Sequence, residues 1–267
     1  MRDPLLPLLP GPQDADRPWL ICYGIDERVE LTGHVLSMWL AKIAGFVTSE
    51  SVPGDGVHVA LPPHWRSVAW ACGTWLAGRS VLLGSNEEIR TAGLIPELSV
   101  AFTPESLYDE AEAQALVPPA SLALRWPEEL PALVLDGAAD LMHYPDRFTP
   151  VSTAADSVCL TDLTSKAAAP AAPGAPGDTA PSGGRLTVLT RAQLAARVEA
   201  ADSPAGSGRH SASRAVLVRS PDTAQMLQEV LVAWRTGRTA VVLTPEAGDD
   251  VAAAAIRQEG IQEGITA

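Results

Sequence analysis

Apolar and polar positions along this chain fall into one pattern that occurs twice. Residues 57–83 read V-H-V-A-L-P-P-H-W-R-S-V-A-W-A-C-G-T-W-L-A-G-R-S-V-L-L. Residues 215–243 read A-V-L-V-R-S-P-D-T-A-Q-M-L-Q-E-V-L-V-A-W-R-T-G-R-T-A-V-V-L. Each begins with a short apolar run, turns at a proline, continues at helical spacing to Trp-x-x-Gly-Arg and ends in a second apolar run. Pro63, Trp75, Gly78 and Arg79 match Pro221, Trp234, Gly237 and Arg238. Two short apolar runs joined by a helix predict a parallel pair with a crossover. The glycines stand where a helix stops in the left-handed conformation, which glycine adopts at no steric cost. The expected fold class is therefore α/β: a mostly parallel sheet, or sheets, flanked by helices and built on two related βαβ units.

The remaining pattern fills in around these units. I-C-Y and V-E-L predict a hairpin over 19–31 that turns at Gly24–Glu27. Leu36, Leu40, Ile43 and Val47 share one face of a helix from Thr32, its cap, to Thr48. Further strands are expected at 98–102, 121–125 and 157–161, with helices at 86–92, 105–115 and 131–141. R-L-T-V-L reads as a strand, and the helix after it is capped by Thr190. A helix near 248–258 precedes I-T-A, which reads as the start of another strand. Proline makes residues 1–18 an expected irregular start. Residues 166–184, almost all Ala, Pro and Gly, offer nothing to bury against the entropy of ordering. They and 202–213 are expected to be flexible inserts in a single α/β domain spanning 1–267.

Composition narrows the function classes. The 267 residues are 46% hydrophobic and 19% charged, which describes a globular chain. A net charge of −13 leaves no basic surface for nucleic acid or anionic lipid. The only lysines are Lys42 and Lys166, and the usage of Ala, Gly, Pro and Arg points to a bacterial gene rich in G and C. Cys22, Cys72 and Cys159 have neither CxxC nor zinc spacing, so free buried thiols and a cytoplasmic setting are expected. The leader-like M-R-D-P-L-L-P-L-L-P is interrupted by proline, and the longest apolar helix, near 68–77, is too short to span a bilayer.

Candidate chemistry is sparse. His34, His58, His64, His143 and His210 have no metal spacing, and neither HExxH nor G-x-S-x-G is present. No catalytic or metal-binding residue is expected. His64, after a strand, could meet a ligand at the sheet edge, but capping the next helix is favoured, as it is for Asp222. Trp75 and Trp234 read as core anchors rather than ligand-stacking rings. Arg79 and Arg238 stand at the wrong ends of their strands to grip phosphate.

D-E-R-V-E-L-T-G-H-V-L-S-M-W-L-A-K-I-A-G-F-V, followed by V-P-G-D-G-V-H-V-A-L-P-P-H-W and W-L-A-G-R-S-V-L-L, resembles the opening of AMP-binding, adenylate-forming enzymes. These include the acyl-CoA synthetases, and short stand-alone TIGR03089-type proteins are similar in size and style. The match is close over 27–83 and loose over 84–267. It implies a truncated version of the N-terminal domain of those enzymes. It also implies a phosphate loop after strand 157–161, ending Pro-Lys-Gly, whose amides cradle a triphosphate. Here that stretch reads T-D-L-T-S-K before the Ala/Pro/Gly segment. Thr161, Thr164, Ser165 and Lys166 are thus the cofactor-binding candidates, as remnants of that loop. The family's magnesium glutamate, ribose aspartate and C-terminal lysine are expected to lie beyond this chain. The resemblance therefore implies the scaffold and argues against the reaction. The expected function is a non-catalytic binding or regulatory protein without a cofactor. One alternative is a divergent adenylate-forming enzyme that uses ATP or AMP and magnesium with a protein partner. Another is a small-molecule-binding module without nucleotide.

Overall fold

A computed structural model describes residues 3–11, 13–14, 16–164, 186–201 and 213–261. The expected segments at 166–184 and 202–212, and the I-T-A end, lie outside the described residues.

The chain opens with a 3-10 turn at Leu6–Leu8 and a hairpin, β1 (Pro18–Tyr23) and β2 (Arg28–Thr32). α1 (Gly33–Glu50) follows, capped by Thr32, whose hydroxyl accepts from the Val35 amide. Next come β3 (Val57–Ala60), α2 (Trp65–Leu76), β4 (Val81–Leu83), α3 (Asn86–Ala92) and β5 (Leu98–Ala101). β6 (Gln114–Leu116), β7 (Val134–Asp136), β8 (Val158–Asp162) and β9 (Thr187–Thr190) complete one sheet. The chain ends with α4 (Arg191–Ala201), β10 (Ala215–Val218), α5 (Thr223–Arg235), β11 (Thr239–Leu243) and α6 (Asp249–Gln258).

The two βαβ units lie in different sheets. β3 and β4 pair in a seven-stranded sheet of order β7-β6-β5-β3-β4-β8-β9, parallel except at β8–β9. β10 and β11 pair in a four-stranded sheet of order β10-β11-β1-β2, antiparallel only at the hairpin. α2 packs on β3 and β4 and also on β1, while α5 covers β10 and β11 and touches α4, which lies on β8 and β9. The helices α1, α2, α4 and α5 therefore fill the space between the sheets. One apolar core runs through this layer and includes Leu20 and Val242 of the small sheet and Val57 and Val100 of the large one. Alternate residues face outward: Ile21 and Tyr23 meet α6, and Ala101 and Leu116 pack under Trp126.

The repeated motif does the same job in both units. Trp75 is fully buried and its indole N–H donates to the Cys159 carbonyl of β8 at 2.7 Å. Trp234 is buried and donates to the Trp19 carbonyl of β1 at 2.9 Å. Each indole thus reaches the strand beyond its own unit. Gly78 and Gly237 have φ of +78° and +72°, and the following Arg79 and Arg238 amides return to Thr74 and Ala233. The arginines stay structural. Arg79 lies 3.8 Å from the buried Glu97, and Arg238 donates to the Ser213 and Ala215 carbonyls.

Several expected elements differ. Residues 105–115 form a 3-10 turn at Pro104–Ser106 and then β6, not a helix. Leu107 and Tyr108 are drawn into two different outer clusters, which overrides the Ala- and Glu-rich helical pattern. Residues 131–141 supply β7 instead of a helix. S-L-A-L-R at 121–125 is not a strand. The guanidinium of Arg66 takes the carbonyls of Ala120, Ser121 and Ala123, leaving Leu122 and Leu124 exposed. The proline-rich start is irregular apart from its one 3-10 turn, yet it is anchored. Leu5, Leu8 and Leu9 are in the core, and Asp3 forms a fully buried ion pair with Arg191 at 2.7 Å. Cys22, Cys72 and Cys159 are buried free thiols. Burial pushes those of Cys22 and Cys159 up to about 12.

Candidate functional site

The carboxyl ends of β3, β4, β10 and β11 converge on one side of the molecule. The chain leaves β3 toward β4 and returns on the other side of β3 as β5, so the strand order reverses there. Parallel sheets open a crevice at such a reversal. Leu61-Pro62-Pro63 ends β3 and Pro221 follows β10. Proline lacks the amide needed to continue a ladder, so both strands stop at the crevice. The turns meet across it, where the Thr223 hydroxyl donates to the Leu61 carbonyl at 2.8 Å. The resulting cleft has a volume of about 720 Å³. Leu61, Pro62, Pro63, Leu83, Pro221 and Pro245 give it apolar walls, and Asn86, Glu87, Glu105, Thr164 and Asp222 give it polar ones.

Several backbone amides on this side of the molecule are bound by the chain's own carboxylates. Asp222 caps α5, accepting from the Gln225 amide at 2.7 Å. Glu88 accepts from the Ser85 amide at 2.7 Å and completes a capping box. Asp162 accepts from the Thr164 amide at 2.9 Å and from its hydroxyl at 2.6 Å. Glu27 accepts from the Ser121 amide at 3.2 Å. No lysine or arginine lines the 720 Å³ cleft among the described residues. An adjoining groove that shares Thr164, Pro221, Asp222 and Ala224 is lined by both Arg197 and Asp162.

Of the sequence candidates, Thr164 lines the cleft, held by Asp162. Thr161 is buried inside β8, in register with Leu82 and Val188, and does not line it. Ser165 and Lys166 lie outside the described residues. The capping box Ser85–Glu88 was legible as S-N-E-E, but Asp162 and Glu105 carried no signal of their own.

A second recess contains Asp26, Glu27, His64, Phe102 and Glu246. Here Ser121 Oγ donates to Glu27 at 2.6 Å and lies 3.3 Å from His64 Nε2. Serine, histidine and glutamate together suggest a nucleophile with its base, but the proton positions rule this out. His64 Nδ1 accepts the Arg66 amide at 3.1 Å, so the neutral ring carries its proton on Nε2. That nitrogen can only donate toward Ser121 and cannot take its proton. The cluster instead ties the 119–123 loop to the hairpin turn.

Burial, reinforced by the Arg66 charge, pushes the His64 imidazole down to about 4 from 6.5. The native state therefore stays neutral while the unfolded chain takes a proton. The stability His64 contributes is complete above pH 6.5 and is lost as pH falls toward 4. His64→Asn keeps a capping acceptor and should flatten this part of a urea-derived stability profile. An unchanged profile from pH 7 to 4 would contradict a buried neutral ring.

Comparison with solved structures identifies the fold. The fold is that of acyl-CoA synthetases. The chain superposes on the Brucella canis acyl-CoA synthetase with a TM-score of 0.73 at 15% identity, covering 97% of this chain and 46% of that one. Acetoacetyl-CoA synthetase from Streptomyces lividans gives 0.66 at 16% identity, over 91% of this chain and 38% of that one. ATP-bound MatB from Rhodopseudomonas palustris gives 0.67 at 11%, over 97% and 48%. One relative in sequence is a TIGR03089 family protein of Mycobacterium tuberculosis (strain ATCC 25618 / H37Rv). It is 36% identical over 59 residues, which span 21% of this chain and 24% of that protein. The chain thus spans less than half of each of these three solved proteins. No family model matches it. No helix among the described residues is long and apolar enough to cross a membrane.

Proposed function

We propose that this protein is a non-catalytic binding or regulatory protein of the cytoplasm on the adenylate-forming scaffold. The observation that carries this is the state of the amides around the cleft. A triphosphate needs free N–H donors and neutralising cations. Here Glu88, Asp162 and Asp222 already take the Ser85, Thr164 and Gln225 amides, and further carboxylates line the walls. The described residues do not fit a nucleotide triphosphate, and no step of adenylate chemistry is derived through one. The three free thiols agree with a reducing compartment.

The second reading, a divergent adenylate-forming enzyme, is favoured by one observation. Thr164 lines the cleft where the family resemblance places the phosphate loop. Carboxylate-dependent exchange of labelled pyrophosphate into ATP, over fatty, aryl and amino acids, separates the two. No exchange above background is expected. Exchange that disappears in Lys166→Ala would overturn the non-catalytic reading.

A further inference from the structure

We propose that the 120–125 loop and the adjoining face of α1 form a docking surface for a partner protein, which binds through a basic amphipathic segment. None of the side chains that form it lines the 720 Å³ cleft, so the inference goes beyond the non-catalytic reading without depending on it. Leu122 is 81% exposed and Leu124 67% exposed. Their exposure is built from inside the molecule. The buried Arg66 guanidinium donates to the Ala120, Ser121 and Ala123 carbonyls at 3.3, 3.2 and 2.8 Å. Glu27 holds the same loop from the hairpin, through the Ser121 amide and hydroxyl. A loop pinned at four points cannot turn its leucines inward. Burying a guanidinium to hold it is costly. The result is a pair of apolar groups already ordered for contact, which lose little entropy when a partner covers them.

The leucines are not scattered surface residues. The guanidinium that holds their loop also lies over the Trp39 and Trp65 rings, 5.8 and 4.5 Å from their centroids. Trp39 is half-buried on α1, and Val35, one turn before it, is exposed. Arg66 therefore joins the leucine loop to an apolar stripe on a helix, and a tryptophan beside rigid apolar groups is a common anchor of protein interfaces. Charge selects the occupant. Residues 120–129 hold Glu128 and Glu129 against Arg125, and the hairpin tip adds Asp26 and Glu27. Arg28 beside them is taken up by Glu30 and Glu259. A second copy of this chain, with its net charge of −13, would set carboxylates against carboxylates, and an anionic lipid surface would be repelled in the same way. Lysine and arginine flanking an apolar helix face complement both the leucines and the acidic rim.

The test is fluorescence anisotropy of a labelled helical peptide of leucine and lysine, titrated with the full chain. A peptide of the same design with glutamate for lysine runs beside it. The lysine peptide is expected to bind and the glutamate peptide is not. Leu122→Ser combined with Leu124→Ser should weaken binding about tenfold while leaving urea stability unchanged, because both side chains already stand in water. Leu186→Ser removes an exposed leucine beside β9 and should leave binding unchanged. This control separates docking from the general attraction of a cation to an acidic protein. Should the double variant fail to fold, Leu122→Ser alone takes its place, with a loss of about threefold. The proposal is overturned if the lysine peptide does not bind, if the glutamate peptide binds as tightly, or if the leucine variants keep full affinity. It is also overturned if sedimentation shows a dimer that the leucine pair abolishes, which would give the surface to a second copy. Binding of anionic lipid vesicles through the same leucines would overturn it in favour of a membrane.

Discussion

Trp75→Ala and Trp234→Ala are each expected to lose about 3–5 kcal/mol of stability. Both indoles are buried between helix and sheet, and both hold a strand carbonyl of the neighbouring hairpin or ladder. Truncation opens a cavity and also strands the Cys159 or Trp19 carbonyl without its donor. Against a typical total of about 5–15 kcal/mol, either loss is large. Phenylalanine at the same position separates the two contributions, since it keeps most of the volume and removes only the donor. Urea denaturation measures both. A loss below about 1 kcal/mol at either alanine variant would show that the repeated motif is not a pair of core anchors.

Asp3→Ala is expected to cost about 3–5 kcal/mol, although it changes one residue near the start of the chain. Its carboxylate accepts from Arg191, from the Thr153 amide and hydroxyl, and from the Leu5 amide. Arg191 in turn donates to the Trp75 carbonyl, so the pair fastens the first segment to the end of α2 and the start of α4. Removing the acid leaves a buried guanidinium without its counter-charge. The double variant Asp3→Leu with Arg191→Met should recover much of the loss, because apolar side chains carry no desolvation penalty. A loss within about 0.5 kcal/mol for Asp3→Ala would mean that the opening segment is only loosely attached.

The parts of this structure that were legible in the sequence are those fixed by local chemistry. Thr32, Thr190 and Asp222 announce helix starts because a side-chain oxygen two or three residues before an amide is a local event. The Trp-x-x-Gly-Arg repeat announces two crossovers because the left-handed glycine and the anchor belong to one short segment. That the two units occupy separate sheets was not legible. Strand neighbours such as β1 and β11 are chosen by pairing across more than 200 residues, which no local pattern encodes. The same holds for the loop at 121–125. Its alternating leucines read as a strand, but Arg66, over 50 residues away, claims the carbonyls a ladder would use. Asp3 and Arg191, 188 residues apart, gave no hint of one another. At the cleft, the two proline turns were legible as the ends of β3 and β10, and the resemblance named Thr161, Thr164, Ser165 and Lys166, of which Thr164 lines the cleft. The bonding of the Thr164 amide to Asp162 and of the Ser121 amide to Glu27 emerged only from the folded geometry.

The three cysteines have a practical consequence. Cys22 lies in the small sheet, Cys72 in a helix between the sheets and Cys159 in the large sheet, each shielded from solvent. An alkylating reagent reaches such a thiol only when its own part of the molecule opens. Each layer thus carries a natural chemical clock, with no label to be engineered. Equal alkylation rates at the three sites would describe one cooperative unit. A lead by Cys22 would describe a small sheet that detaches while the rest stays folded. The protein can therefore be asked how its layers come apart with iodoacetamide and a mass spectrometer alone.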